Sequence, residues 1–93
     1  MIKSFRHRGL QRLFEDDERR RLPAVHVDKI ARVLAWLNEL SQPQDMDLPG
    51  YRLHPLRGDL KGFWSVSIDA NWRVVFRCDD GGDVWDVDFV DYH

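Results

Sequence analysis

The sequence predicts an α+β domain in which two N-terminal helices pack on a small, mainly antiparallel sheet. Apolar residues recur at helical spacing from Leu10 to Leu40. After Gly50 the period changes to two. Short turn sequences separate the alternating runs, so successive strands connect as hairpins and pair antiparallel. The 93 residues suit one domain, 1–93, built around one core.

Ile2 to Phe5 are expected to add an edge strand. Leu10, Leu13 and Phe14 mark a first helix. Glu15, Asp16 and Asp17 each precede one of Arg19, Arg20 and Arg21 by four positions, the favourable order for ion pairs along a continuing helix. The second helix is the clearest element. Pro23 suits its first turn, Val27, Ile30, Leu34 and Leu37 form its apolar stripe, Val33 and Leu40 lie beside them, and Ser41-Gln42-Pro43 ends it. Residues 41–50 form a loop. Strands are expected near 51–56, 62–69, 72–79 and 84–90, with hairpins at Ala70-Asn71 and at Asp79-Asp80-Gly81-Gly82-Asp83. Alternation assigns Trp64, Val66, Ile68, Val74, Phe76, Trp85, Val87 and Phe89 to core faces. The other face of the sheet is expected to be partly open to solvent.

Composition excludes several function classes. No apolar run approaches the roughly 20 residues of a membrane helix, and no apolar stretch follows the charges of Met1 to Arg8, so neither a membrane anchor nor a secretory leader is expected. Cys78 is the only cysteine, which rules out an internal disulfide and a multi-cysteine zinc site. On a strand it reads as a small core residue. A cytoplasmic protein is expected. The net charge of −2 hides an asymmetry: residues 1–32 carry an excess of four Lys/Arg, and residues 63–93 an excess of five Asp/Glu. A local basic patch can still grip phosphate. The candidate cations are Lys3, Arg6, Arg8, Lys61 and Arg77.

Arg73 alternates against Val74 and Phe76 and so points to the open face, with Arg77 at the same parity. Such an arginine is usually the wet side of a sheet, but its fork of donors also matches phosphate oxygens. His54 precedes Pro55 at a strand exit, near Arg57 and Lys61. Histidine exchanges protons near neutral pH. Asp91, Tyr92 and His93 follow an apolar strand closely enough to be held near the sheet, where they offer polar groups of different acidity. No His-x-x-x-His or Glu-x-x-His spacing supports a metal site, and no glycine-rich phosphate loop is present. No cofactor is expected. RNA supplies its own 2′-hydroxyl nucleophile, so its cleavage needs only a base, an acid and cationic stabilisation of the phosphorane.

The opening Met1 to Leu10, the block Tyr51-Arg52-Leu53-His54-Pro55-Leu56-Arg57-Gly58-Asp59, the run Gly62 to Ile68 followed by Asn71-Trp72-Arg73, and the closing Asp91-Tyr92-His93 together resemble HigB toxins. These belong to the RelE superfamily and are also described as plasmid-maintenance killer proteins. The resemblance implies a RelE-like fold and cleavage of translated mRNA in the A site of the 70S ribosome, against 16S rRNA. It also implies neutralisation by a HigA-type helix-turn-helix antitoxin, with operator DNA bound only through that complex. By position, His54 matches the family's loop histidine, Arg73 its strand arginine, and Asp91, Tyr92 and His93 its C-terminal catalytic group. Arg57 departs from a lysine common among relatives. Arginine stabilises charge but does not readily shuttle a proton. The 2′-proton is then left to His54, Asp91 or His93. The alternative is a non-catalytic or degenerate toxin fold that binds an antitoxin or RNA.

Overall fold

The computed structural model describes residues 1–91; Tyr92 and His93 lie outside the described residues. Two helices, α1 (Arg8–Asp16) and α2 (Val27–Asn38), precede four strands, β1 (His54–Pro55), β2 (Phe63–Ser67), β3 (Trp72–Cys78) and β4 (Val84–Asp91). The strands form one antiparallel meander in the order β1-β2-β3-β4. The expected edge strand at the N-terminus is reduced to two parallel bridges along β4, Ile2 to Val84 and Phe5 to Val87. The α+β architecture is thus as the alternation and helical spacing predict.

The stripe of α2 is fully enclosed. Ile30, Val33, Leu34 and Leu37 meet Val66, Val74, Phe76, Val84 and Val87 from the sheet, and Leu10 and Leu13 from α1. Each such side chain contributes about 1.5–3 kcal/mol on leaving water. Met46, in a short 3-10 turn at Pro43–Met46, closes the core from the loop.

The structure corrects the expected elements in four places. Helix α1 stops at Asp16, because Asp17 turns left-handed (φ 54°) and its N–H returns to the Arg12 and Leu13 carbonyls. No apolar residue lies between Phe14 and Leu22 to hold a continuing helix against the core. The acid-then-base run therefore lies beyond the helix. Arg19 ties to Asp28 on α2, while Arg20 and Arg21 meet Glu18. Helix α2 starts at Val27, not at Pro23. Pro23 accepts the His26 N–H in a turn, and the His26 ring faces Asp69, with Nε2 to Oδ2 at 2.8 Å. The strand expected over 51–56 shrinks to His54–Pro55, because Arg52 adopts φ 50° and breaks the extended run. Finally, Val84 rather than Trp85 points into the core. A bulge at Asp86 (φ 57°) adds one residue between the register pairs Arg77–Trp85 and Val75–Asp88 and inverts the parity. Trp85 is 36% exposed. The strain of a left-handed non-glycine residue is offset by local bonds: Arg77 holds the Asp86 carboxylate, and the Asp86 N–H donates to Ser4 Oγ.

The hairpins are fixed by aspartates. Asp79 Oδ1 accepts the Gly81 and Asp83 N–H groups, and Gly82 sits at φ 84° with its Cα against the Ser41 backbone, where a Cβ would come within 2.9 Å of a carbonyl oxygen. Asp69 Oδ1 accepts the Asn71 and Trp72 N–H groups. Bonds to backbone N–H groups, with His26 as a smaller cause, hold the Asp69 carboxyl below the usual aspartate range. The Trp85 indole, followed by backbone bonds, does the same for Asp79. A depressed folded pKa contributes stability that is present above the unfolded value and lost as pH falls through the folded one. Urea midpoints are therefore expected to fall as pH drops below about 4, the unfolded aspartate value. The double variant Asp69→Asn/Asp79→Asn should flatten that acid limb, and an unchanged slope would refute the assignment.

Candidate active site

Alternation along β3 sends Val74 and Phe76 toward the helices and Arg73, Val75 and Arg77 to the opposite face. That face is less open than expected. Phe63, Ser65, Ser67 and Val75 are all buried on it, and the chain from His54 to Leu60 folds over its β1 side. What remains is a concavity of about 330 Å³ lined by His54, Pro55, Leu56, Arg57, Leu60, Ser65, Val75 and Val90.

The register explains who meets whom. His54 pairs with Ser65, Ser65 with Val75, and Val75 with Asp88. One step along the same face, Ser67 pairs with Arg73 and Arg73 with Val90. Two inter-strand steps and two residues separate the Cα atoms of His54 and Arg73, roughly 12 Å. His54 lines the concavity over Ser65 and Val75, whereas Arg73 stands two residues along β3 and is not among the lining residues. The guanidinium atoms Nε and Nη1 of Arg73 are sealed from solvent.

His54 is half-buried, and its Nδ1 lies 3.0 Å from the Arg52 carbonyl oxygen. A carbonyl only accepts, so Nδ1 carries the proton. The neutral ring then leaves Nε2 as an acceptor. The carbonyl that holds the ring belongs to the left-handed Arg52 that shortens the strand. Arg57 is exposed on the rim, at the start of a 3-10 turn over Gly58–Leu60.

The remaining expected residues are dispersed. Asp91 pairs with Trp72, and alternation places it with Trp72 and Phe89 on the helix side of the sheet end, next to the Arg73 partner Val90. Tyr92 and His93 lie outside the described residues. Lys61 is exposed after the 3-10 turn. Lys3 is exposed near Met1, with Nζ 3.8 Å from its sulfur. Arg8 opens α1 and groups with Gln11, Arg12, Glu15 and Asp16. Arg6 and Arg77 both approach Phe63. Among the described residues no three His, Cys, Asp or Glu side chains converge as a metal site.

Ser65 escaped sequence reasoning. It is fully buried in the floor of the concavity, and its hydroxyl has no hydrogen-bond partner among the described residues. A serine between Trp64 and Val66 reads as the wet side of a strand, and only the tertiary fold shows that it is enclosed. A buried unmated hydroxyl costs about 1–3 kcal/mol. Ser65→Ala should therefore leave the thermal midpoint unchanged or raise it. A clear fall in calorimetry would mean that the hydroxyl is satisfied in the folded protein.

Solved structures share this fold. The YafQ toxin of Escherichia coli superposes with a TM-score of 0.67 over 98% of this chain and 91% of its own, at 14% identity, which makes this a RelE-type toxin fold. The chain belongs to the HigB-like toxin family, the RelE-like toxins of type II toxin–antitoxin systems, whose model matches residues 3–93. It is 40% identical to the endoribonuclease HigB of Proteus vulgaris over the full length of both chains. It is 32% identical to toxin HigB-1 of Vibrio cholerae over 87% of each. An antitoxin is accordingly its partner class. No described helix is long and apolar enough to cross a membrane.

Proposed function

We propose that this toxin is a ribosome-dependent endoribonuclease that cuts mRNA through the RNA 2′-hydroxyl, without a metal ion. The observation that carries this is the concavity lined by His54 and Arg57, with Arg73 two residues along β3 from the Ser65–Val75 pair in its floor. The Proteus relative's name supports the reaction class.

In this mechanism His54 Nε2, left as an acceptor by the Nδ1 bond to Arg52, removes the 2′-proton. The resulting imidazolium keeps its Nδ1–H on the carbonyl. Arg73 and Arg57 stabilise the extra negative charge on the phosphorane, with fixed charge that needs no reorganisation. The 5′-oxygen leaves with a proton from Tyr92 or His93; Asp91, on the helix side of the sheet end, takes no part in this step. Lys3, Arg6, Arg8, Lys61 and Arg77 are proposed to touch RNA beyond the scissile linkage. A concavity near the lower limit for ligand pockets grips little by itself. Message held in the decoding site against 16S rRNA supplies the positioning, an effect worth up to about 7–11 kcal/mol in ideal cases. The neutralising partner is a HigA-type helix-turn-helix antitoxin, and operator DNA is bound through that complex. The site of action is the cytoplasm.

Expression without antitoxin should arrest growth and give primer-extension stops within codons of a reporter message. Arg73→Ala should abolish both while the protein stays folded; arrested growth over intact messages would point to another target. On programmed ribosomes, a nonbridging sulfur at the scissile phosphate should give slow cleavage that a thiophilic metal does not rescue. Rescue by cadmium or manganese would refute the metal-free step.

A further inference from the structure

Phe63 opens β2, is 6% exposed, and lies on the same face as the concavity. Two guanidinium groups converge on its ring: the Arg6 Cζ is 4.9 Å from the centroid and the Arg77 Cζ 5.8 Å. Their charges are balanced differently. Arg77 donates through Nε and Nη2 to Asp86 Oδ2, at 2.9 and 2.7 Å. Arg6 has no ion pair among the described residues, and its ring contact is the interaction that holds it. The backbone on either side of Arg6 is pinned to β4: its own N–H and that of His7 donate to the Val87 carbonyl, and Phe5 bridges Val87. Arg6 is thus an exposed cation on a fixed backbone, its Cζ over a buried ring, with no ion-paired carboxylate among the described residues.

Stacking occupies the flat face of a guanidinium and leaves its N–H edges free to donate. Those edges suit the oxygens of a phosphate. Holding the group on the ring in advance also lowers the ordering cost of binding. The Phe63–Arg77 pair adjoins the Ser65–Val75 pair in the floor of the concavity, about 6.6 Å along the strands. Lys3, Arg8 and Lys61 share neither the ring nor this row.

We propose that Arg6, with Arg77 beside it on Phe63, forms a second phosphate subsite that grips the message at a backbone linkage flanking the one that is cut. This rests on the nuclease reading above. Arg6 touches RNA but no reacting atom, and Phe63 is a positioning residue that acts through Arg6.

The test is cleavage on programmed ribosomes, at constant magnesium and varied potassium, with wild type, Arg6→Gln, Arg6→Lys, Phe63→Leu and the Arg6→Gln/Phe63→Leu double variant. Arg6→Gln should raise KM several-fold and leave the single-turnover rate at saturation within about twofold. It should also make the dependence of log affinity on log salt shallower by about 0.7, the value of one single-strand phosphate contact. Sequence preference should not change. Arg6→Lys keeps the charge but not the planar stack, and should recover only part of the affinity. Phe63→Leu should resemble Arg6→Gln, with little further loss in the double variant. If Phe63→Leu does not fold, the two Arg6 variants carry the test.

Messages with one neutral methylphosphonate at a linkage near the cut identify the phosphate. On the message that loses the gripped charge, Arg6→Gln should have no further effect. An Arg6→Gln loss of equal size on every substituted message would place the contact on ribosomal RNA and overturn the proposal. A slower saturated rate with KM and salt slope unchanged would overturn it too. Wild-type cleavage matched by Arg6→Gln sinks the subsite alone, whereas a wild type that leaves messages intact sinks the nuclease reading and the subsite with it.

Discussion

Strand β3 does two jobs on two faces, and the period-two alternation of an extended chain keeps them apart. Val74 and Phe76 close the core against α2, while Arg73, Val75 and Arg77 stand on the far side. A one-residue slip of β3 would drive two guanidinium groups into the core and expose its apolar partners, so the register that makes the domain fold also aims the cations. Pairing on both edges reinforces this. β2 brings Ser65 and Phe63 to the same face, and β1 adds His54 beside Ser65. The candidate site is the second surface of the sheet whose first surface is the core, and destabilising one misaligns the other.

The bulge at Asp86 is where the two surfaces are reconciled. Without it, β4 would turn Trp85 inward and Val84 outward. With it, Val84 fills the core and Asp86 reaches Arg77. At the opposite edge Arg52 is also left-handed, where the strand ends and its carbonyl holds Nδ1 of His54. Strain of this kind, about 1–3 kcal/mol for each residue, persists only where surrounding bonds over-determine it. Both residues sit beside groups assigned to RNA.

Much of this was legible in the residues. Strands β2, β3 and β4 and the stripe of α2 announce themselves through period and turn chemistry, because their burial is one-sided and regular. The errors fall where a non-local contact overrides a local preference. The pairing of Asp16 and Asp17 with Arg20 and Arg21 favours more helix, but no core surface waits there, so the helix stops. Pro23 favours a helix start, but His26 is held at Asp69 and the helix begins after it. Trp85 is a strong apolar residue in the right alternation, and a single inserted residue reverses it. Within the candidate site, His54, Arg57 and Arg73 were singled out by their chemistry and by separate blocks that resemble the family. Ser65 and the Arg6–Phe63 stack were not, since each depends on residues far apart in the chain meeting across the sheet.

The charge distribution takes on a different meaning once the aspartates are placed. The last third of the chain is strongly acidic, which argues against a polyanionic partner if those charges face it. At least five of the seven are engaged in hydrogen bonds or ion pairs. Asp69 and Asp79 turn into hairpin N–H groups, Asp83 meets the terminal amine, Asp86 holds Arg77, and Asp88 caps the Phe89 N–H. Their negative charge goes into ordering turns and one arginine. Arg6 and Arg57, exposed beside the concavity, have no such partners among the described residues. A chain that is slightly acidic overall thus keeps cations exposed beside the concavity, with most of its C-terminal acids engaged in ordering the turns and strand around them.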